Sequence, residues 1–159
     1  MATGDTKLTA NYAEAMANNT LTTIWSGASA IKMALVTNAL TPSNADSFPT
    51  WGAGGTQNYS TNEIAATGAY TAGGVVLAGC TVVQSTTQVI LNCTSPITWA
   101  ANAASPVNAR WAIIYNNTTT NKEVLGYIDL GGVTSLVPGL QININSISSG
   151  TQPVFTGST

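Results

Sequence analysis

Two neighbouring β-rich runs constrain the fold of this chain more than any other feature. Residues 110–115 are dense in β-branched and aromatic side chains, which suit a pleated, half-buried surface. The polar segment 116–121 has turn chemistry and leads into a second β-rich run, 124–132, which ends at a glycine pair. Two such runs joined by a short polar segment predict an antiparallel hairpin.

The alternation within the first run predicts where that strand lies. Trp111, Ile113 and Tyr115 fall on one face, while Ala112 and Ile114 fall on the other. Both faces are apolar, so neither can be left in water without cost. We therefore expect this strand in the middle of a sheet that is covered on both sides.

The rest of the chain carries short β-rich segments separated by Gly, Pro and Asn. About eight strands can be counted, and this regular spacing is typical of a sandwich or barrel. We predict an all-β fold, an antiparallel β-sandwich of jelly-roll-like type. The predicted strands outside the hairpin lie near residues 30–37, 62–64, 75–84, 88–94, 97–100 and 140–147.

The N-terminal region has a different pattern. Leu8, Tyr12 and Met16 recur every four residues, which predicts a short α-helix with one apolar stripe. So short a helix needs a partner, either the sheet or a neighbouring subunit. We assign residues 1–25 to an N-terminal arm or helix and 26–159 to a β-sandwich domain, together one globular unit.

The composition excludes several classes of function. Only 6% of residues are charged, against about 25% in an ordinary globular protein. Four basic residues cannot neutralise a run of phosphates, so we expect no nucleic-acid partner. No apolar run is long enough for a membrane helix, and no secretion signal is visible. A surface with so little like-charge repulsion suits contact with other copies or with a larger assembly, and the alternative is a neutral β protein that is simply rich in Thr and Asn.

Cys80 and Cys93 are the only cysteines. If residues 85–88 close a two-residue hairpin, these cysteines face each other across the ladder and could form a disulfide. The alternative is a pair of buried free thiols. Because no secretion signal is visible and cytosolic disulfides are rare, the thiols are the favoured interpretation.

Residues 38–61 show no periodicity and form a long loop that contains Phe48, Trp51 and Tyr59. Loops of this length inside a compact domain are often functional surfaces. The three aromatic side chains either form a contact surface or fold back as a lid over the core, and the sequence favours neither alternative.

The residues that usually carry catalysis are missing or scattered. The chain has no His, which removes the commonest general base and metal ligand. The acidic residues form no paired-carboxylate or calcium-loop pattern. An enzyme would have to use a distant pair such as Glu63 and Asp129, which we interpret instead as an edge-strand charge and a turn former. We therefore expect no catalytic residues, no bound metal and no cofactor.

Several segments together resemble small structural proteins of tailed bacteriophages. After the N-terminal helix, the series runs K-M-A-L, then E-I followed by G-A-Y-T-A-G-G, then A-R-W-A-I-I-Y and L-G-Y-I-D-L-G. Those proteins often show a similar series, and the resemblance covers roughly residues 5–147. The chain departs from it by Trp111, where the family pattern has Tyr, and by the extended loop 38–61.

The resemblance implies a virion component on the capsid surface that is made in the host cytoplasm. Within that class we favour a capsid decoration, or cement, protein whose partners are the major capsid protein and itself, as a homotrimer or homodimer. A tail-fibre or receptor-binding module that recognises a host glycan is the alternative, with Trp51, Tyr59 and Tyr70 stacking on sugar. The expected interaction residues are Leu8, Tyr12, Met16, Phe48, Trp51 and Tyr59.

Overall fold

The computed structural model describes residues 6–9, 31–43, 45–52, 57–85, 88–94 and 96–142, with backbone alone at 6–8, 81–85 and 88–92. Within these ranges the protein is all-β, and the pairings are antiparallel except for one short parallel pair. The strands are β1 (Thr6–Leu8), β2 (Ile31–Val36), β3 (Pro49–Thr50), β4 (Gln57–Asn58), β5 (Val75–Val76), β6 (Thr81–Ser85), β7 (Gln88–Asn92), β8 (Ile97–Trp99), β9 (Ala109–Asn116), β10 (Val124–Thr134) and β11 (Leu140–Ile142). One 3-10 turn, Tyr59–Asn62, follows β4.

A five-stranded sheet in the order β1-β10-β9-β2-β5 forms the centre of the molecule. The predicted hairpin is present as β9 and β10, with Tyr127 opposite Ile113 and Asp129 opposite Trp111. The other side of β9 pairs with β2, where Ala34 lies opposite Ile113. The expectation that residues 110–115 form a strand in the middle of a sheet is confirmed.

Both faces of this sheet are covered. One face contributes Ile31, Met33, Ala112 and Ile114 to the larger apolar cluster, and all four are at most 1% exposed. The opposite face contributes a second cluster, whose members from the sheet include Ala34, Val36, Trp111, Ile113, Tyr115 and Tyr127. Burying a large apolar side chain contributes roughly 1.5–3 kcal/mol, so alternation on β2 and β9 stabilises two separate cores.

The β8–β11 pair packs against the first face of the central sheet and brings Ile97, Trp99 and Ile142 into the larger cluster. Cys80 and Cys93, which flank the β6–β7 hairpin, belong to the same cluster. On β11, Leu140 lies opposite Trp99 and Gln141 opposite Thr98, which confirms the predicted start of the last strand.

The described residues contain eleven strands in four sheets, where the sequence indicated about eight strands. Three strands, β1, β3 and β4, were not indicated by the sequence, and the predicted strand 75–84 is divided into β5 and β6. The predicted strand 62–64 forms only an isolated bridge at Glu63. Strands as short as β3 and β4 carry no detectable alternation, so sequence patterns cannot find them.

The predicted N-terminal helix is wrong at its start. Thr6–Leu8 form β1, and Leu8 lies opposite Gly126 of β10. Thr9 is fully buried, and its hydroxyl donates to the Val124 carbonyl at 3.0 Å. A long-range edge pairing has overridden the local helical spacing. Tyr12 and Met16 lie outside the described residues.

Cys80 and Cys93 form a disulfide, so the preference for free thiols was wrong. The expected register is confirmed, with Thr81 opposite Asn92 and Ser85 opposite Gln88. That register brings the two cysteine Cα atoms to 4.0 Å, within bonding reach. The redox argument that favoured thiols rested on the cellular compartment, which the sequence does not fix.

Candidate interaction surface

The long loop 38–61 covers the second face of the sheet. Trp51 and Tyr59 are 4% and 1% exposed and belong to the second apolar cluster. The Trp51 ring stacks on Tyr115, with the ring centroids 5.0 Å apart. Of the two alternatives for these aromatic residues, their burial matches the lid rather than an exposed contact surface.

Polar contacts hold this lid in place. The Trp51 amide donates to the Lys122 carbonyl at 2.8 Å, which ties the loop to the β9–β10 turn. The Tyr59 hydroxyl donates to Asp46, and the Ser43 amide donates to the same carboxylate at 3.1 Å. Burial, together with the Asp46 carboxylate, raises the pKa of Tyr59 above its ordinary value. Its hydroxyl therefore keeps its proton and remains a donor.

Of the six predicted interaction residues, the structure describes four, and it places Leu8 on a different part of the sheet from Phe48, Trp51 and Tyr59. Phe48 is half-buried in the lid loop, at a positive φ of 53° that is strained for a bulky side chain. Leu8 lies on the edge strand β1, at the opposite edge of the sheet from β5. Any role of these residues in binding a partner stays a prediction.

A hydrogen-bond network closes the outer edge of β2. The Tyr70 hydroxyl accepts the Leu35 amide proton at 2.9 Å and donates to Glu63 Oε1 at 2.8 Å. The same carboxylate oxygen accepts the Gly73 amide at 2.6 Å, and the Tyr115 hydroxyl donates to the Gly73 carbonyl at 2.8 Å. Glu63 is therefore the acceptor at which hydrogen bonds from the edge of the sheet and from the glycine turn meet.

This network has a structural role, because an open strand edge invites pairing with other chains. The β2 edge is covered by β5 at one end and by residues 62–64 at the other, where the Ile64 amide donates to the Leu35 carbonyl. Tyr70 fills the gap between them with a side chain. Burial is the main cause that raises the pKa of Tyr70, and the adjacent Glu63 adds to it.

Arg110 and Asp129 form an ion pair across β9 and β10. Asp129 also accepts the Gly131 amide at 2.7 Å, and the guanidinium carbon of Arg110 lies 4.1 Å from the centre of the Trp111 ring. The hydrogen bond from Arg110, aided by the Gly131 amide, holds the pKa of Asp129 below its usual 3.8. Both side chains are largely shielded, so the pair stabilises the folded state at neutral pH.

A pH dependence of stability follows from this pair. A carboxyl group whose pKa is lower in the folded state contributes stability above pH 3.8, and loses it as the pH falls through the folded value. Replacing Asp129 with Asn should cost about 1–3 kcal/mol at pH 7. The difference between wild type and variant should shrink below pH 3 in urea unfolding. An equal difference at both pH values would contradict the assignment.

The one pair of acids that could have suggested catalysis is kept apart by the sheet. Glu63 bridges to Val36, Val36 pairs with Trp111, and Trp111 pairs with Asp129. Three strand spacings separate the two backbones by roughly 14 Å, whereas paired catalytic carboxyl groups lie roughly 5–9.5 Å apart. Each carboxylate is also already bonded within the fold.

A search of the described ranges finds no cluster of three or more Asp, Glu, Cys or His residues that could hold a metal ion. Nor does any helix there have the length and apolar character needed to cross a membrane.

The small sheets and their connections form a layer without charge. We call residues 77–108 and 135–142 the charge-free layer, since they contain no Asp, Glu, Lys or Arg. A cleft of about 360 Å³ between residues 98–101 and 138–141 lies in it and has no charged lining. The exposed side chains that the structure describes in this layer are uncharged, and Val107 is the most exposed large apolar one among them, at 60%.

The charges are confined to the other part of the molecule. Every charged residue of the described ranges lies on the five-stranded sheet, in its β9–β10 turn, or in the segments that cover its second face and its β2 edge. These residues are Lys7, Lys32, Asp46, Glu63, Arg110, Lys122, Glu123 and Asp129. The four carboxylates among them each accept a hydrogen bond from within the protein. Within the described ranges, the charged residues therefore lie outside the charge-free layer.

No protein-family model, no curated protein and no solved structure matches this chain. The function of the protein is therefore inferred from its charge distribution, its burial and its hydrogen bonds.

Proposed function

We propose that the chain is a virion structural protein of a tailed bacteriophage, a capsid decoration (cement) protein that stabilises major-capsid subunits and catalyses no reaction. The observation that carries this proposal is the charge-free layer, which holds none of the charged residues of the described ranges. The resemblance of residues 5–147 to phage structural proteins supports it.

Burying a charged surface in an interface costs free energy. A charged side chain that enters an interface loses its bound water, and the desolvation free energy exceeds the free energy of its new contacts unless the charge is well paired. The cores of protein interfaces are accordingly depleted of charge. A layer with uncharged polar and small apolar side chains can be buried over the 1,200–2,000 Å² of a stable contact without that cost.

The proposal includes the partners and the location. The charge-free layer would contact the major capsid protein and further copies of the chain, as a homodimer or homotrimer, on the outer surface of the virion. Neither nucleic acid nor a membrane takes part. The finer description of the fold as a jelly-roll-like sandwich belongs to the same proposal.

The glycan-binding alternative depended on Trp51, Tyr59 and Tyr70. All three are at most 4% exposed, and their rings pack against the protein itself. Stacking on a sugar requires an accessible aromatic face, so these residues give no support to a receptor-binding function.

The decisive experiment puts charge into the charge-free layer. Thr98 and Gln141 are exposed and lie opposite each other on β8 and β11. Replacing both with Glu should reduce binding of the purified chain to undecorated capsids by at least tenfold, because two carboxylates would have to be desolvated. Co-sedimentation with capsids measures the bound fraction directly.

A matched control separates a local effect from general repulsion. Thr120 is exposed in the β9–β10 turn, on the part of the molecule that already carries charge. Changing Thr120 to Glu should leave capsid binding unchanged. Undiminished binding by the doubly charged variant, with circular dichroism like that of wild type, would refute the proposed contact surface. Deletion of residues 1–20 is a poor test, because it removes β1 from the sheet.

A further inference from the structure

The β6–β7 hairpin is a two-stranded ribbon that joins no larger sheet within the described part of the chain. Among the described residues its two strands pair only with each other. Exposed strand edges are usually blocked by Lys, Pro or inward-pointing charges, yet residues 81–92 contain no charged residue and no Pro. The run Val89-Ile90-Leu91 on β7 instead has high β-propensity.

The ribbon is also held in a fixed register at its base. The Cys80–Cys93 disulfide joins its two strands where they enter the larger apolar cluster, in which both cysteines are at most 8% exposed. An isolated two-stranded hairpin is marginally stable in water. The cross-link therefore keeps the free edges presented in one conformation, which lowers the entropic cost of pairing them with another strand.

We propose that β7 pairs antiparallel with β7 of a second copy of this chain, so that two ribbons form one four-stranded sheet across a two-fold axis. An antiparallel pair of identical strands is related by a two-fold axis, so its backbone hydrogen bonds are self-complementary. The charge-free layer favours a second copy of the chain as the partner. In a two-fold contact each surface meets itself, so a charged residue would approach the same charge on the other copy and repel it.

This inference names the first partner in the assembly described under the proposed function and rests on it. It can be tested without capsids, on the oxidised full-length chain. Sedimentation velocity over a range of concentrations should show a dimer. Ile90 is the central residue of β7, so its two copies lie close together across the axis.

Charge variants at residue 90 give the specific test. Ile90→Lys and Ile90→Glu should each weaken self-association by at least roughly 100-fold, since like charges would face each other across the axis. An equimolar mixture of the two variants should restore a heterodimer. Val83→Lys, opposite residue 90 on the outer strand β6, is the matched control and should still dimerise.

Three results would overturn the inference. One is a monomer at every concentration. Slow hydrogen exchange of the β6–β7 amides in that monomer would show that residues of the same chain cover β7. Another is a dimer that Ile90→Lys leaves intact, which would place self-assembly on a different surface and leave the proposed function standing. The last is failure of the mixed variants to associate although each is folded by circular dichroism.

Discussion

Replacing Gly74 with alanine is expected to lower the free energy of unfolding by about 3 kcal/mol or more. Gly74 has a φ of +70° and directly precedes β5. A Cβ atom there would lie 1.9 Å from the Met33 carbonyl oxygen and 2.6 Å from the Ala34 Cα. Both contacts are with backbone, so β5 would have to move away from β2. Urea unfolding followed by tryptophan fluorescence measures the loss.

Gly132 supplies the matched control for this substitution. It lies within β10, has no positive φ, and a Cβ atom there would meet nothing within 4 Å. Its replacement with alanine should change stability by less than about 0.5 kcal/mol. Equal losses at the two positions would show that the close approach of Gly74 to β2 is not what requires a glycine.

The centre of the fold could be predicted because its signal is local. Alternation along residues 31–36 and 110–115 identifies strands and faces directly, and the structure places those faces in two separate cores. The hairpin register around Cys80 and Cys93 also followed from sequence, because a two-residue turn fixes which residues lie opposite each other.

The edges of the sheet could not be predicted, because they are built from long-range contacts. Leu8 fits a helical stripe equally well, and only the pairing with residues 126–128 of β10 makes residues 6–8 a strand. Tyr70 is 35 residues from the Leu35 amide that it accepts. In the sequence, this tyrosine is an aromatic residue within a glycine-rich turn. Nothing in the sequence indicates that its hydroxyl forms hydrogen bonds at the edge of β2.

In the sequence, the candidate surface can be recognised only as a long segment without charged residues. That residues 64–109 contain no charge can be read directly, but only the structure shows that Cys80, Cys93, β8 and β11 pack together against the central sheet. The aromatic residues of loop 38–61 were the more obvious candidates. Trp51 and Tyr59 cover apolar surface that the alternation of β9 already required to be buried on that side.

Removal of the Cys80–Cys93 disulfide is expected to lower the free energy of unfolding by about 3 kcal/mol. The two cysteines are 13 residues apart, and a cross-link over such a loop restricts the unfolded chain by roughly this amount. The folded ribbon also loses the bond that joins its two strands to each other at its base. Urea unfolding of the Cys80→Ala/Cys93→Ala variant beside the oxidised wild type measures the difference.

Reductant separates the cross-link from the side chains. Dithiothreitol should lower the stability of wild type nearly to that of the double variant, while the double variant should not respond. Thiol titration of the unfolded, unreduced wild type should find no reactive cysteine. Two reactive thiols would instead restore the free-thiol interpretation. The ribbon would then lack a covalent clamp, and any pairing of β7 between copies would have to pay the cost of ordering the hairpin as well.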